Sequence, residues 1–186
     1  DGPPGTHELL GRITEGTTAV MESMNDIVWA VNADNDDMGQ VVRRMNSHAE
    51  RMRSVSNCEL RFEVQDGMAA EHLGMTQRKN LYLIYKEALN NAVKYARCKQ
   101  LVVTMKREGS GYVLRVQDDG VGFDANAAQV NNLGGNGLGN MRRRAAEMGA
   151  RFTVRSAPGV GTTIELHFDA DPKSVDPMST GPKRTG

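Results

Sequence analysis

Three stretches of the 186-residue sequence combine residue types and spacings that could do chemistry. In LYLIYKEALNNAVKYA, Glu87, Asn91 and Lys94 fall within roughly 60° of one another when residues advance about 100° each along a helix. An acid, an amide and a cation converging beside an apolar face suit a metal-nucleotide site. The Asn91 side-chain oxygen would be a hard ligand for Mg²⁺, Lys94 would reach phosphate, and Glu87 would act as base or orienting group. Taken alone, a solvated helix face is the plainer reading. In QDDGVGF, Asp118 ends a strand and precedes Gly120 and Gly122, where the backbone can turn sharply and a flat ligand can come close. Such a carboxylate can accept a hydrogen bond from an adenine amino group, although a simple strand-ending turn has the same composition. A calcium loop fits less well, since the spacing with a terminal glutamate is missing. In GGNGLGNMRRRAA, Gly134, Gly135, Gly137 and Gly139 lead into a helix whose N-terminal amides and dipole favour phosphate. A flexible surface loop is the alternative. The sequence has no complete GxGxxG and no GxxxxGK[ST], which disfavours a Rossmann site and removes the ordinary P-loop.

These stretches need elements to position them. After the breaker cluster DGPPG, the positions Leu10, Ile13, Thr17, Val20, Met24, Ile27 and Val31 alternate spacings of three and four. That is a helix with a narrow seam, as in a coiled coil or bundle, and it cannot bury the seam alone. NADNDDM interrupts it, and a second amphipathic helix follows through Val41, Val42, Met45 and Met52, its methionines reading as core. CELRFEVQD alternates as a strand. TQRKNLYLIYKEALNNAVKYA is a helix capped at Thr76. KQLVVTMKR and YVLRVQD form a hairpin, as do RFTVRS and TTIELHF, with a helix over GNMRRRAAEMGA that ends at Gly149. Strands and helices that do not strictly alternate imply an α+β sandwich, a mixed and mostly antiparallel sheet with helices on one face. The expected organisation is a start outside the fold (1–8), a partial bundle helix (9–34), a catalytic-type domain (35–168) and a proline-rich disordered tail (169–186).

Composition narrows the function further. The 23 basic and 23 acidic residues balance to a net charge of zero, so no general nucleic-acid or membrane-surface partner is indicated. The longest strongly apolar run, Ile27 to Val31, is far short of a membrane span. No signal peptide is evident. Cys58 and Cys98 lack CxxC spacing and clustered histidines, which argues for plain thiols in a reducing compartment rather than a zinc site or disulfide framework.

No stretch is decisive alone, but their order is specific. Glu87-x-x-x-Asn91, Asp118-x-Gly120-x-Gly122, Gly135-x-Gly137-x-Gly139 and Gly161-Thr162 resemble the N, G1, G2 and terminal threonine boxes of the gyrase/Hsp90/histidine-kinase/MutL ATPase superfamily. EALNNAVKYA and GLGNMRRRAAEMGA…SAPGVGTTIEL narrow the resemblance to sensor histidine kinases with a short ATP lid. MNDIVWAVNADND is similar to the end of their second dimerisation helix, so the likeness covers roughly residues 9–168. It implies a Bergerat-type α/β sandwich that binds ATP and Mg²⁺. Asp118 would accept from the adenine amino group, with Thr162 and Gly122 near the ring and Gly120 in the turn. Asn91 would hold Mg²⁺ across the phosphates beside Lys94. Residues 124–134 would form a lid that Gly135, Gly137 and Gly139, with Leu138, let close. Tyr95 stands where such kinases often carry histidine. Glu87 matches the base position of hydrolysing relatives. The implied reaction is phosphoryl transfer from ATP to a histidine on a dimerisation helix, then to a response-regulator aspartate. The implied setting is a cytoplasmic part of a homodimeric, inner-membrane-anchored sensor.

Two other readings stay open, an ATP-operated clamp of the gyrase or MutL kind and a non-catalytic nucleotide-binding or dimerisation module. The Arg142–Arg144 run reads as a solvated face. His7 heads THELLGRITEG, but only about twenty residues, roughly 30 Å of helix, separate it from IVWAVN, with no turn signal between. His7 therefore reads as an ordinary residue of the second bundle helix rather than the phosphate acceptor, and the acceptor is expected on a helix absent from this chain. His48, His72 and His167 likewise stand in no acceptor context.

Overall fold

Strands form here where β-branched and aromatic residues alternate with polar ones. The computed structural model describes residues 24–30, 37–68, 71–125 and 135–169, together with Thr17, Met21 and Asn32. In chain order the elements are α1 (24–30), α2 (Met38–Val55), β1 (Glu59–Val64), α3 (Met75–Asn91), a π-helical turn (Ala92–Ala96), β2 (Gln100–Glu108), β3 (Gly111–Asp118), α4 (Gly135–Glu147), β4 (Arg151–Ala157) and β5 (Gly161–Asp169). The five strands make one sheet in the order β1-β2-β3-β5-β4. β1 and β2 are parallel and the other neighbours antiparallel, which is the expected mixed α+β sheet.

Register explains the core. On one face, Val103, Val116, Ile164 and Val154 lie in a row, and Met105, Leu114, Leu166 and Phe152 form the next. Helix α3 packs across the assembly between α2 and α4 and carries Leu81, Ile84, Tyr85, Ala88 and Leu89 into the same core. Each large apolar side chain so buried stabilises the fold by about 1.5–3 kcal/mol. The opposite face is polar at its centre, where Glu165 pairs with Arg115 and Arg155.

The helix ends differ from expectation in three places. Thr76 is not a cap: α3 starts at Met75 behind Gly74, which has no side chain to offer the first amides. The α-helical hydrogen bonding stops at Asn91, and 92–96 continue as a π turn closed by Arg97 in the left-handed region at φ 50°. Helix α4 takes in Gly135 and Gly137 rather than starting at Gly139. The other ends follow sequence chemistry. Asp37 caps α2 by accepting from the Gln40 amide at 2.6 Å, and Gly149 takes φ 71° just past α4.

The end of α1 is fastened to the domain. Asp26, 5% exposed, accepts from Arg44 and Lys86, both at 2.7 Å. The Arg44 guanidinium lies between the Trp29 and Tyr82 rings, 4.7 and 4.9 Å from their centroids. Buried Arg78 donates to the carbonyls of Ala30 and Asn32, satisfying acceptors that the helix end leaves open. Along the rest of this stretch Met21, Met24, Ile27 and Val28 are exposed. His7, the start (1–8) and 170–186 lie outside the described residues.

Candidate functional site

The apolar rows of the core face end in a polar one. One step beyond Val103, Val116, Ile164 and Val154, the register aligns Leu101, Asp118, Thr162 and Ser156. The period-two alternation that buries valines and leucines thus carries Asp118 and Thr162 inward at one end of the central strands. Asp118 is 7% exposed. Burial pushes its carboxyl above the usual range, while the amides of Gly120 and Thr162 oppose that shift. The Gly120 amide donates to Asp118 Oδ1 at 2.9 Å.

The glycines of this turn are required by contact. A Cβ on Gly120 would overlap the Ala96 carbonyl oxygen. Gly122 has φ 58°, and a side chain there would strike the Ala157 carbonyl. The Val121 amide donates to Ala96 O at 2.8 Å, so the π turn at the end of α3 is the seat of the Asp118–Gly122 turn.

The first and third stretches also meet. Asn91 Nδ2 donates to Glu87 Oε1 at 3.2 Å, one helical turn away. With its amide hydrogens so directed, the Asn91 oxygen is the group's acceptor and a suitable hard ligand. Gly137 on α4 stands directly over this pair: a Cβ there would press on the Glu87 carboxylate and come within 3.3 Å of the Asn91 amide. Leu138 is half-buried against the core. Gly139 opens on free space, so no contact demands a glycine at that position.

Two of the expected residues follow the α-helical arc rather than lying on it. Lys94 and Tyr95 are exposed on the π turn, Tyr95 at 69%. The arc that groups Lys94 with Glu87 and Asn91 assumes α-helical spacing, and the wider turn after Asn91 ends that spacing. The lid lies almost wholly outside the described residues, which include only Asp124 and Ala125 of it, and so does Gly134. Of the arginine run, Arg143 is exposed and reaches Glu147 at 3.4 Å, as a solvated face should. Among the described residues no group of three or more His, Cys, Asp or Glu side chains is placed to hold a metal. The donor set at Asn91 and Glu87 still fits Mg²⁺, which keeps several waters and takes one or two protein oxygens beside phosphates.

Comparison with known proteins agrees with this arrangement. Residues 76–172 match the family model described as histidine kinase-, DNA gyrase B-, and HSP90-like ATPase. The chain belongs to this family. Sensor protein VraS of Staphylococcus aureus (strain COL) is 34% identical over 87 residues, and that of Staphylococcus saprophyticus is 33% identical over the same length. Each match covers 47% of this chain and 24% of the relative, so the likeness spans about a quarter of those sensors. Among solved structures, Acinetobacter baumannii histidine kinase AdeS aligns with a TM-score of 0.65 at 11% identity, covering 92% of this chain and 87% of that one. Full-length ShkA, solved in complex with AMPPNP, aligns at 0.64 and 17% identity, covering 91% of this chain and 40% of that one. The ATPase-family domain is therefore of the sensor-histidine-kinase type, with the α+β fold the sequence implies. Among the described residues no helix is long and apolar enough to cross a membrane.

Two residues of the site escape sequence reading. Ser156 accepts from the Phe123 amide at 2.9 Å, donates to Gly161 O at 3.0 Å and meets Thr162 Oγ1 at 2.9 Å, tying the hairpin to the turn. Asp119 accepts from the Lys99 and Gln100 amides at 2.8 and 2.9 Å. SAPGVG marks a hairpin turn and carries part of the family resemblance, but nothing local says what its serine faces.

Proposed function

We propose that this chain is the ATP- and Mg²⁺-binding part of a sensor histidine kinase, and that it passes the γ-phosphoryl group of ATP to a histidine on a dimerisation helix for relay to a response-regulator aspartate. The observation that carries the reading is the position of α3. Its Glu87–Asn91 pair touches Gly137 of α4, and the π turn that follows it seats the Asp118 turn. One helix thereby ties an adenine-type acceptor to a phosphate-type end.

In this reading the buried Asp118 accepts from the adenine amino group, where Thr162, Gly120 and Gly122 bring backbone close to the ring. The amides of Gly135, Gly137, Leu138 and Gly139, in the first turns of α4, face anionic charge at the positive end of the helix. Asn91 would hold Mg²⁺, which neutralises phosphate charge when bound, and Lys94 and Tyr95 flank the phosphate side from the π turn. Glu87 orients the Asn91 amide and stands where it can take a proton from the accepting group. Transfer of a phosphoryl group asks the protein mainly to align and to neutralise, and this arrangement supplies both. The exposed Met21, Met24, Ile27 and Val28 fit a helix that completes its packing in a homodimer. We place the domain in the cytoplasm of a membrane-anchored sensor.

The test is incubation of the protein with γ-labelled ATP, Mg²⁺ and a separate helical hairpin bearing an acceptor histidine. Label on that histidine is expected. ATP binding without any transfer would instead support a non-catalytic module, and steady hydrolysis by the chain alone would support a clamp. Label on His7 would contradict its reading as an ordinary helix residue.

A further inference from the structure

Cys58 and Cys98 have no part in the site described so far. Cys58 lies in the connection between α2 and β1, and Cys98 in that between the π turn and β2. Parallel pairing brings these connections side by side. The β1–β2 register opens at Glu59 and Gln100, and the Glu59 amide, one residue past Cys58, donates at 2.8 Å to the carbonyl of Lys99, one residue past Cys98. Both cysteines are free thiols, half-buried at the edge of the core. The Cys58 side chain is near enough to the Cys98 thiol to raise it.

We propose that Cys58 and Cys98 form a reversible disulfide under peroxide, and that this bond weakens nucleotide binding by pulling on the 96–100 connection. The nucleotide half of this proposal rests on the function proposed above. Burial, together with the neighbouring Cys58, pushes the Cys98 thiol up to about 12. The reaction therefore opens at Cys58, because the Cys98 thiol is held protonated. Its thiolate sulfur takes one peroxide oxygen, the O–O bond breaks, and the other oxygen leaves as water or alcohol with a proton. Cys98 sulfur then displaces the hydroxyl of the Cys58 sulfenic acid, losing its own proton as water departs and the S–S bond forms. Two electrons and two protons have moved from the thiols to one peroxide.

The reach to the nucleotide site is short. Ala96 O holds the Val121 amide and walls Gly120, Arg97 is already in the left-handed region, and Lys99 and Gln100 donate to Asp119. Cys98 therefore sits inside the segment that grips both ends of the Asp118–Val121 turn. In the sheet, β2 lies between β1 and β3, so Cys58 is on one side of this segment and the turn on the other. A disulfide draws its sulfurs to about 2.05 Å. Closing that bond moves the segment toward β1 and away from the turn.

The experiment uses the whole chain, reduced and then exposed to hydrogen peroxide, with free thiols alkylated afterwards. Mass spectrometry of the monomer is expected to find the loss of two hydrogens and a proteolytic peptide linking Cys58 to Cys98. Calorimetry with ATP is expected to give a severalfold weaker affinity after oxidation, restored by dithiothreitol. A Cys58→Ser, Cys98→Ser double variant should bind like the reduced protein with or without peroxide. Finding only sulfenic acid, only intermolecular links or no oxidation would overturn the proposal, and a linked protein with unchanged affinity would overturn its coupling to the site. Failure of the reduced protein to bind ATP would overturn the function proposed above, while the linkage is still read by mass.

Discussion

Asp118 and Thr162 face each other across β3 and β5 on the core side of the sheet, one step past the Val116–Ile164 pair. The same alternation that fills the core therefore aims a carboxylate and a hydroxyl inward where the apolar rows stop. Asp118→Asn should weaken ATP binding by about 1–3 kcal/mol, roughly 5–150-fold, because a buried acceptor becomes partly a donor. Calorimetry measures this directly, and an unchanged affinity would count heavily against the assignment. Burial raises the Asp118 carboxyl, so acidification should begin to reduce ATP affinity at a higher pH than an ordinary aspartate would set. That acid limb should vanish in the asparagine variant.

Asn91 donates an amide hydrogen to Glu87, and its oxygen is the acceptor proposed to hold the metal ion. Asn91→Ala is expected to remove chiefly the Mg²⁺-dependent part of ATP binding. Titrations with and without Mg²⁺ read the difference, and an equal loss in both would exclude the metal role.

Two glycines should respond with opposite signs. Gly122 has φ 58° and would drive a Cβ into the Ala157 carbonyl, so Gly122→Ala should cost about 1–3 kcal/mol of stability. Gly139 lies within α4 with nothing near its missing Cβ, so Gly139→Ala should stabilise by about 0.5–1 kcal/mol. Thermal melts of the two variants distinguish a glycine imposed by packing from one that only shares its spacing.

Asp26 joins α1 to α2 and α3 through Arg44 and Lys86. Asp26→Ala leaves two partly buried cations without their shared carboxylate and should loosen the α1 attachment by about 1–3 kcal/mol. Trp29, the chain's one tryptophan, lies against Arg44 and Tyr82 and reports the event. Its emission should shift to longer wavelength at a lower denaturant concentration than in the wild type. Coincident transitions in the two proteins would rule out this fastening.

On the outer face, Glu165 is buried, which alone would raise its carboxyl, but Arg115 and Arg155 outweigh that and hold it below the usual range. A carboxyl lowered in the folded state contributes stability above the ordinary glutamate pKa and loses it as the pH falls through the lowered value. Glu165→Gln should therefore be less stable than the wild type at neutral pH and approach it in acid. Denaturant unfolding at several pH values tests this, and a constant difference across the range would contradict it.

Much of this was legible in residue order. Alternation marked the strands, period-3.6 spacing marked α2 and α3, and the boxes at Glu87, Asn91, Asp118, Gly120, Gly122 and Thr162 named the family before any fold was in view. Those features are local or ordered along the chain, and backbone geometry translates them directly. The helix ends were less legible. Thr76 has cap chemistry but lies inside α3, and no residue type announces a π turn at Ala92, so Lys94 was grouped with Glu87 and Asn91 on an arc that ends before it reaches Lys94.

The sequence by itself determined the family and the sheet-and-helix composition, and it supplied the groups proposed here to hold an adenine, a phosphate and a metal ion. Only the tertiary structure decided which side chains lie together. Gly137 reaches Glu87 and Asn91, Ser156 reaches Thr162, and Asp26 reaches Lys86 because packing α3 between α2 and α4 against one sheet face joins positions far apart in the chain. Period and spacing say which face a side chain occupies. Which side chain meets it there is set by the packing of elements whose separation along the chain carries no such signal.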